Sequence, residues 1–274
     1  MSQADCRRHE DLWKLYWWGG RRDEGLIRDL ERFDSLLKTC EALDIANLPG
    51  QGYTPGKMHQ APNWFSKYKE LPATKISRYG SNLTEQFQES PRFVHRSSSE
   101  KLYVGPRVLI KRGIGGRSPR FIVSRFDEAP YLVSNSVNCF PLEKATKDQI
   151  TVILGIVWSS LAEYYFWLTA NSWGMWHDEI QKYVACRLPV AHSQNRTLLK
   201  RIGRIVNTLQ NTQAISGSDI GELDTAAKLQ AEARMAKINR LEAELDEAIF
   251  DLYELNEADR DLVRDMCRYG LDFF

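Results

Sequence analysis

An apolar run from Ile150 to Ala170, broken by Ser159, Ser160 and Glu163, limits what this chain can become. Such a run must be hidden from water. Its interruptions favour a buried helix over a membrane span, and the rest of the chain is expected to pack around it. No N-terminal apolar run resembles a signal peptide, so a cytoplasmic protein is expected. The five Cys are scattered without a C-x-x-C, which suits a reducing compartment and supports neither a disulfide framework nor a zinc site.

The second constraint is charge. Lys101 to Phe126 carries Lys101, Arg107, Lys111, Arg112, Arg117, Arg120 and Arg125, with no Asp or Glu. Within it, Val108-Leu-Ile110 and Phe121-Ile-Val123 flank a Gly/Pro-rich segment, the pattern of two strands and a loop. Residues 51–126 hold fourteen Lys/Arg against four Asp/Glu, whereas residues 222–274 hold seven against fourteen. The overall charge of +1 conceals a basic middle and an acidic end, the asymmetry of a nucleic-acid-facing module joined to something else. A solvated hairpin with cations guarding its edge would show the same residues.

An α+β fold is expected, in three regions. Residues 1–49 read as a helical connector, with one helix over 6–18 and another over 23–44. Trp13, Trp17 and Trp18 either pack on that helix's own core or form a docking surface. Residues 50–192 carry the loop signals and short strands, including ones near Ile76, Phe93-Val94 and Leu132-Val133 that would join the basic hairpin in one sheet. Here Lys57, Lys67, Lys69, Lys75 and Arg78 alternate with Tyr53, Trp64, Phe65, Tyr68 and Tyr79. That pattern suits either phosphate gripping with base stacking or cations snorkelling over a small core. The run at 150–169 is expected as a single helix capped by Asp148. Residues 193–274 read as a helical arm: an amphipathic helix over 197–209, a Ser216-Gly-Ser218 break, a coiled-coil-like helix over 224–252, and a short helix from 257.

Motifs for catalysis are missing. Glu128-Ala-Pro-Tyr131 departs from the loop an amino-methyltransferase uses, because its first residue is a longer acid and its first proline is absent. Gly113-Ile-Gly-Gly116 precedes a strand signal instead of a helix, so it fails as a phosphate loop. The basic middle has no D…E-x-K arrangement, the five His show no metal-ligand spacing, and His177-Asp178 suits a helix start.

Several segments nevertheless fall in a familiar order. They are Leu15-Tyr-Trp-Trp-Gly-Gly-Arg-Arg-Asp23, Pro106-Arg-Val-Leu-Ile-Lys-Arg-Gly113, Ser134-Asn-Ser-Val137 and Leu154-Gly-Ile-Val-Trp-Ser-Ser-Leu161, then Tyr164-Tyr165, Trp173-Gly174, Arg187-Leu-Pro189 and Leu245-Asp-Glu-Ala-Ile-Phe-Asp-Leu-Tyr-Glu-Leu255. In that order they resemble the C-terminal part of type IIG restriction–modification adenine-N6 DNA methyltransferases, with a TaqI-like target-recognition domain. They are more distantly similar to the specificity subunits of type I systems. The methyltransferase and nuclease domains of that family are not in this sequence.

The resemblance implies a specificity module that binds double-stranded DNA, has no catalysis of its own, and serves an adenine-N6 DNA methyltransferase subunit or domain. S-adenosylmethionine would belong to that partner. Phosphates would be held by some of Lys75, Arg78, Lys101, Arg107, Arg117 and Arg125, and base edges reached by Lys111, Arg112 and Arg120. Two other readings stay open: an unrecognised nuclease or methyltransferase fragment, and a helical interaction subunit of a defence complex.

Overall fold

The computed structural model describes residues 7, 12–79, 87–114, 120–175, 177–212 and 225–271. Three helices open the described chain: α1 (Leu12–Trp18), α2 (Arg21–Leu30) and α3 (Leu36–Asp44). Six strands follow: β1 (Gly50–Gln51), β2 (Thr54–Gln60), β3 (Phe93–Arg96), β4 (Arg107–Lys111), β5 (Ser124–Asp127) and β6 (Val137–Pro141). The rest is helical: α4 (Lys147–Trp158), α5 (Ser160–Thr169), α6 (Lys182–Cys186), α7 (Arg196–Gln210), α8 (Thr225–Leu252) and α9 (Glu257–Asp265). The fold is α+β, as the sequence predicts.

The sheet explains where the basic hairpin went. Strands β1, β6, β4 and β5 form one antiparallel sheet in that order, with Leu109 opposite both Cys139 and Arg125. Successive strand residues point to opposite faces. On one face Val108, Ile110 and Phe140 join a large core; on the other Leu109, Val137 and Cys139 join a smaller one with Phe65, Leu71, Tyr103 and Tyr131. Both faces are covered, so the β4–β5 hairpin is an interior element. The expected single sheet divides in two, because Phe93–Arg96 pairs with β2 in a separate ribbon.

The large core ignores the expected regional boundaries. Leu26 and Ile27 of α2, Ile153 and Trp158 of α4, Ile205 of α7, Leu245 of α8 and Val263 of α9 share it. Arg201–Asp251 and Arg204–Glu244 ion pairs advance in opposite directions along the two helices, so α7 and α8 are antiparallel. Gly155 lets α4 approach them: a Cβ there would lie 2.9 Å from Ile202 Cγ2 and 3.2 Å from Ile249 Cδ1.

Two expected helices are each broken. Residues 34–36 exchange backbone hydrogen bonds with Leu188–Val190 (Leu36 N to Leu188 O, 2.7 Å; Val190 N to Asp34 O, 2.8 Å), which ends α2 and lets Ser35 cap α3. Ser159 is extended, so the apolar run bends by 61° between α4 and α5. The cap of α4 is Thr146, in a box with Gln149, and Asp148 lies in the first turn. Among the described residues no single helix is long and apolar enough to cross a membrane.

Lys14 is fully buried, its Nζ donating to Ala170 O at 2.5 Å and lying 4.9 Å from the Trp167 ring centroid. Burial lowers its pKa from the ordinary 10.5 to about 7, against an opposing pull from Asp178. Between those values the unfolded chain binds the proton and the folded chain does not. Stability should therefore rise with pH across that window and level off below it. Lys14→Met should flatten the rise, a comparison that urea denaturation at pH 6, 8 and 9.5 makes directly.

Candidate nucleic-acid interface

Most of the arginines expected to contact DNA have partners within the protein. Arg120, 8% exposed, places its Nη2 2.6 Å from Asp246 and its Nε 3.7 Å from Glu242. Arg78 lies 3.1 Å from Glu163 and 3.5 Å from Glu242, and it donates to Ile122 O. Glu163 also accepts from the backbone N–H groups of Phe121 (2.7 Å) and Ile122 (3.1 Å). Those bonds move the second hairpin strand on to 124–127. Asp246 accepts from Ser160 N at 2.8 Å, which satisfies the first turn of α5 at the bend. Tyr79, its backbone in the left-handed region at φ 69°, donates its hydroxyl to Glu242. Burial opposes the charge on Arg120, but Asp246, Glu163 and Glu242 outweigh it and raise its pKa. Burial also raises the pKa of Glu163, against Arg78 and Arg120. The two arginines bridge three carboxylates from α5 and α8 and lock the hairpin to the helices.

The other arginines are also engaged. Arg107, 1% exposed, donates to Gly105 O (2.9 Å) and Ala129 O (2.7 Å) and lies 4.6 Å from the Tyr131 ring centroid. Arg125, 2% exposed, pairs with Asp127, which also accepts from Tyr131 Oη at 2.6 Å. Both lie on the face of the sheet that carries the smaller core, where an unpaired guanidinium would be costly. Arg112 is held 2.8 Å from Glu179 and also donates to Asn135 O. Arg117 lies outside the described residues. Of the nine expected contacts, Lys75 and Lys101 are exposed and Lys111 is half-buried. Lys101 donates to Ala46 O at 3.4 Å.

The interleaved aromatics are core residues. Tyr53, Phe65 and Tyr79 are buried, and Trp64 and Tyr68 pack against the smaller core. Trp18 stacks near Trp167, with ring centroids 5.3 Å apart, while Trp17 is 70% exposed.

The ribbon of β2 and β3 is an open, basic element. Apart from the half-buried Thr54 and the buried Val94, all its residues are exposed. It presents Lys57, Arg96, His59 and His95, next to Arg92, with no Asp or Glu on either strand. Among the described residues no carboxylate lies within ion-pair distance of Lys57, Arg92 or Arg96. Met58 and Phe93 are 66% and 53% exposed. Pro55 and His59 both register with Val94, so Gly56-Lys-Met58 bulges outward. A Cβ at Gly56 would lie 2.8 Å from His95 Cβ, so glycine permits this close approach. Pro55 and Gly56 read as loop signals, which hid the strand. The missed clue was the lack of any acid from Gln51 through Lys69.

Among the described residues no group of three His, Cys, Asp or Glu side chains is arranged to hold a metal ion. No family model matches the sequence, and no curated protein matches it. Among solved structures, the chain is similar to the type IIL restriction–modification enzyme MmeI in complex with DNA, at 12% identity and a TM-score of 0.41. The match covers 83% of this chain and 36% of that one, so the chain spans little more than a third of MmeI's length.

Proposed function

We propose that this chain is the DNA-recognition module of a restriction–modification or phage-defence system, non-catalytic by itself. It would present duplex DNA to an adenine-N6 DNA methyltransferase partner that binds S-adenosylmethionine. The observation that carries this reading is the acid-free, exposed β2–β3 ribbon. The major groove of DNA admits a two-stranded ribbon. Lys57, Arg92 and Arg96 would meet phosphates, and Met58 and Phe93 would supply apolar contacts to thymine methyls or base steps. Lys75, Lys101 and Lys111 remain as candidate contacts from the expected set.

The test is a titration of the pure chain with mixed-sequence duplex DNA. With about six phosphates neutralised, affinity should fall on the order of a thousandfold between about 50 and 200 mM salt. Flat affinity over that range would sink the reading in favour of a protein partner. Methyl transfer to the DNA by the pure chain would overturn its non-catalytic part.

A further inference from the structure

We propose a second DNA contact, on the helical half of the molecule: a groove between the start of α4 and the outer face of α7 that holds backbone phosphates. The proposal rests on the DNA-recognition reading above. The groove has a volume of about 470 Å³ and is lined by Lys147, Arg196, Lys200 and Arg204, with Asp148 as its one acid. Arg196, Lys200 and Arg204 recur every four residues, so they share one face of α7. The other face buries Ile202, Ile205, Val206 and Leu209 in the core.

Two observations set this groove apart from an ordinary solvated helix face. Lys147 and Arg196 are each the first residue of their helix, the end where the backbone dipole disfavours a cation. The first turn of α7 contains no acid to offset this. Asp148 offsets this in the first turn of α4, so an anion in the groove would relieve the dipole at Arg196, where Asn195 caps the N–H groups of Thr197 and Leu198 but adds no charge. In addition, among the described residues no carboxylate lies within ion-pair distance of Lys147, Arg196 or Lys200; Arg204 alone reaches one, Glu244, at 3.7 Å.

The lining also selects the ligand. Leu199 is its only large apolar side chain and it contains no aromatic ring, so nothing there would stack on a base or enclose a nucleoside. From Arg196 to Arg204 the helix advances about 12 Å, which spans about three to four intervals of ~3.4 Å, or four to five consecutive phosphates of one strand measured along the duplex axis. A chain of contacts leads from the groove's edge toward a cation from the expected set. Lys144 pairs with Asp44 at 3.1 Å, three residues before Lys147, and Lys101 donates to Ala46 O beside it.

The test uses the full chain carrying Lys147→Ala and Lys200→Ala, both exposed positions, with thermal unfolding to confirm an intact fold. Affinity for mixed-sequence duplex should fall roughly ten- to a hundredfold for all sequences alike, and the salt slope should drop by about two. A second variant, Gly203→Glu, places a carboxylate in the groove. A Cβ at Gly203 meets only Thr151 Cγ2, at 3.6 Å, so the fold has room for it. It should weaken binding at least as much. If the unmodified chain binds duplex and both variants keep its affinity and slope, the groove proposal alone is overturned. If the unmodified chain binds no duplex, the recognition reading falls and takes this proposal with it. If the variants keep DNA binding but lose binding to polyglutamate, the groove serves an acidic protein and the proposal is wrong.

Discussion

Arg120→Ala is expected to destabilise the protein by about 3–5 kcal/mol, the range for removing one partner of a buried ion pair. The Arg120 side chain is 7% exposed, and the side chains of its partners, Glu242 and Asp246, are 6% and 16% exposed. Truncation leaves Asp246 without its arginine and Glu242 with Arg78 alone, close to Glu163, whose Oε2 already has no hydrogen-bond partner. It also disturbs the carboxylate that satisfies Ser160 at the bend of the apolar run. The loss is a large fraction of the stability of a typical domain. Urea denaturation should show the midpoint falling steeply, while DNA affinity of the folded fraction stays the same. A loss below about 1 kcal/mol would mean that Arg120 is a surface cation after all.

The ribbon should behave in the opposite way. Lys57→Glu with Arg96→Glu should leave stability within about 0.5 kcal/mol, because both side chains are exposed away from the core. Two lost charge-assisted contacts at about 1.5–3 kcal/mol each should weaken duplex binding by on the order of a hundredfold or more. The reversed charges add repulsion from the phosphates. Undiminished affinity with an intact fold would remove the ribbon from the interface.

These two predictions mark where the sequence was legible and where it was not. The amphipathic stripes of α7 and α8 stand out because each helix has one wet and one dry face. The α4–α5 run looks continuous because it is buried on all sides, and a single serine breaks it without changing the pattern. Strand β6 escaped notice although it lies inside the sheet, since Asn138 and Pro141 dilute its apolar signal. The arginines misled for a different reason. Charge along a sequence does not reveal a partner far away: Arg120 meets Asp246 from 126 residues off, and Arg78 meets Glu163 from 85. The acidic C-terminal region read as a separate arm, yet part of it neutralises the basic middle from within. What remains for a ligand is the part of the basic region that found no acid.

That remainder can be probed lysine by lysine. Amine acylation of the protein with and without saturating duplex DNA, read peptide by peptide, reports which ammonium groups the DNA covers. The account predicts that Lys57, Lys75, Lys101 and Lys111 lose reactivity while Lys228, exposed near the start of α8, keeps it. A DNA-bound protein in which Lys57 labels as fast as in the free protein would contradict it.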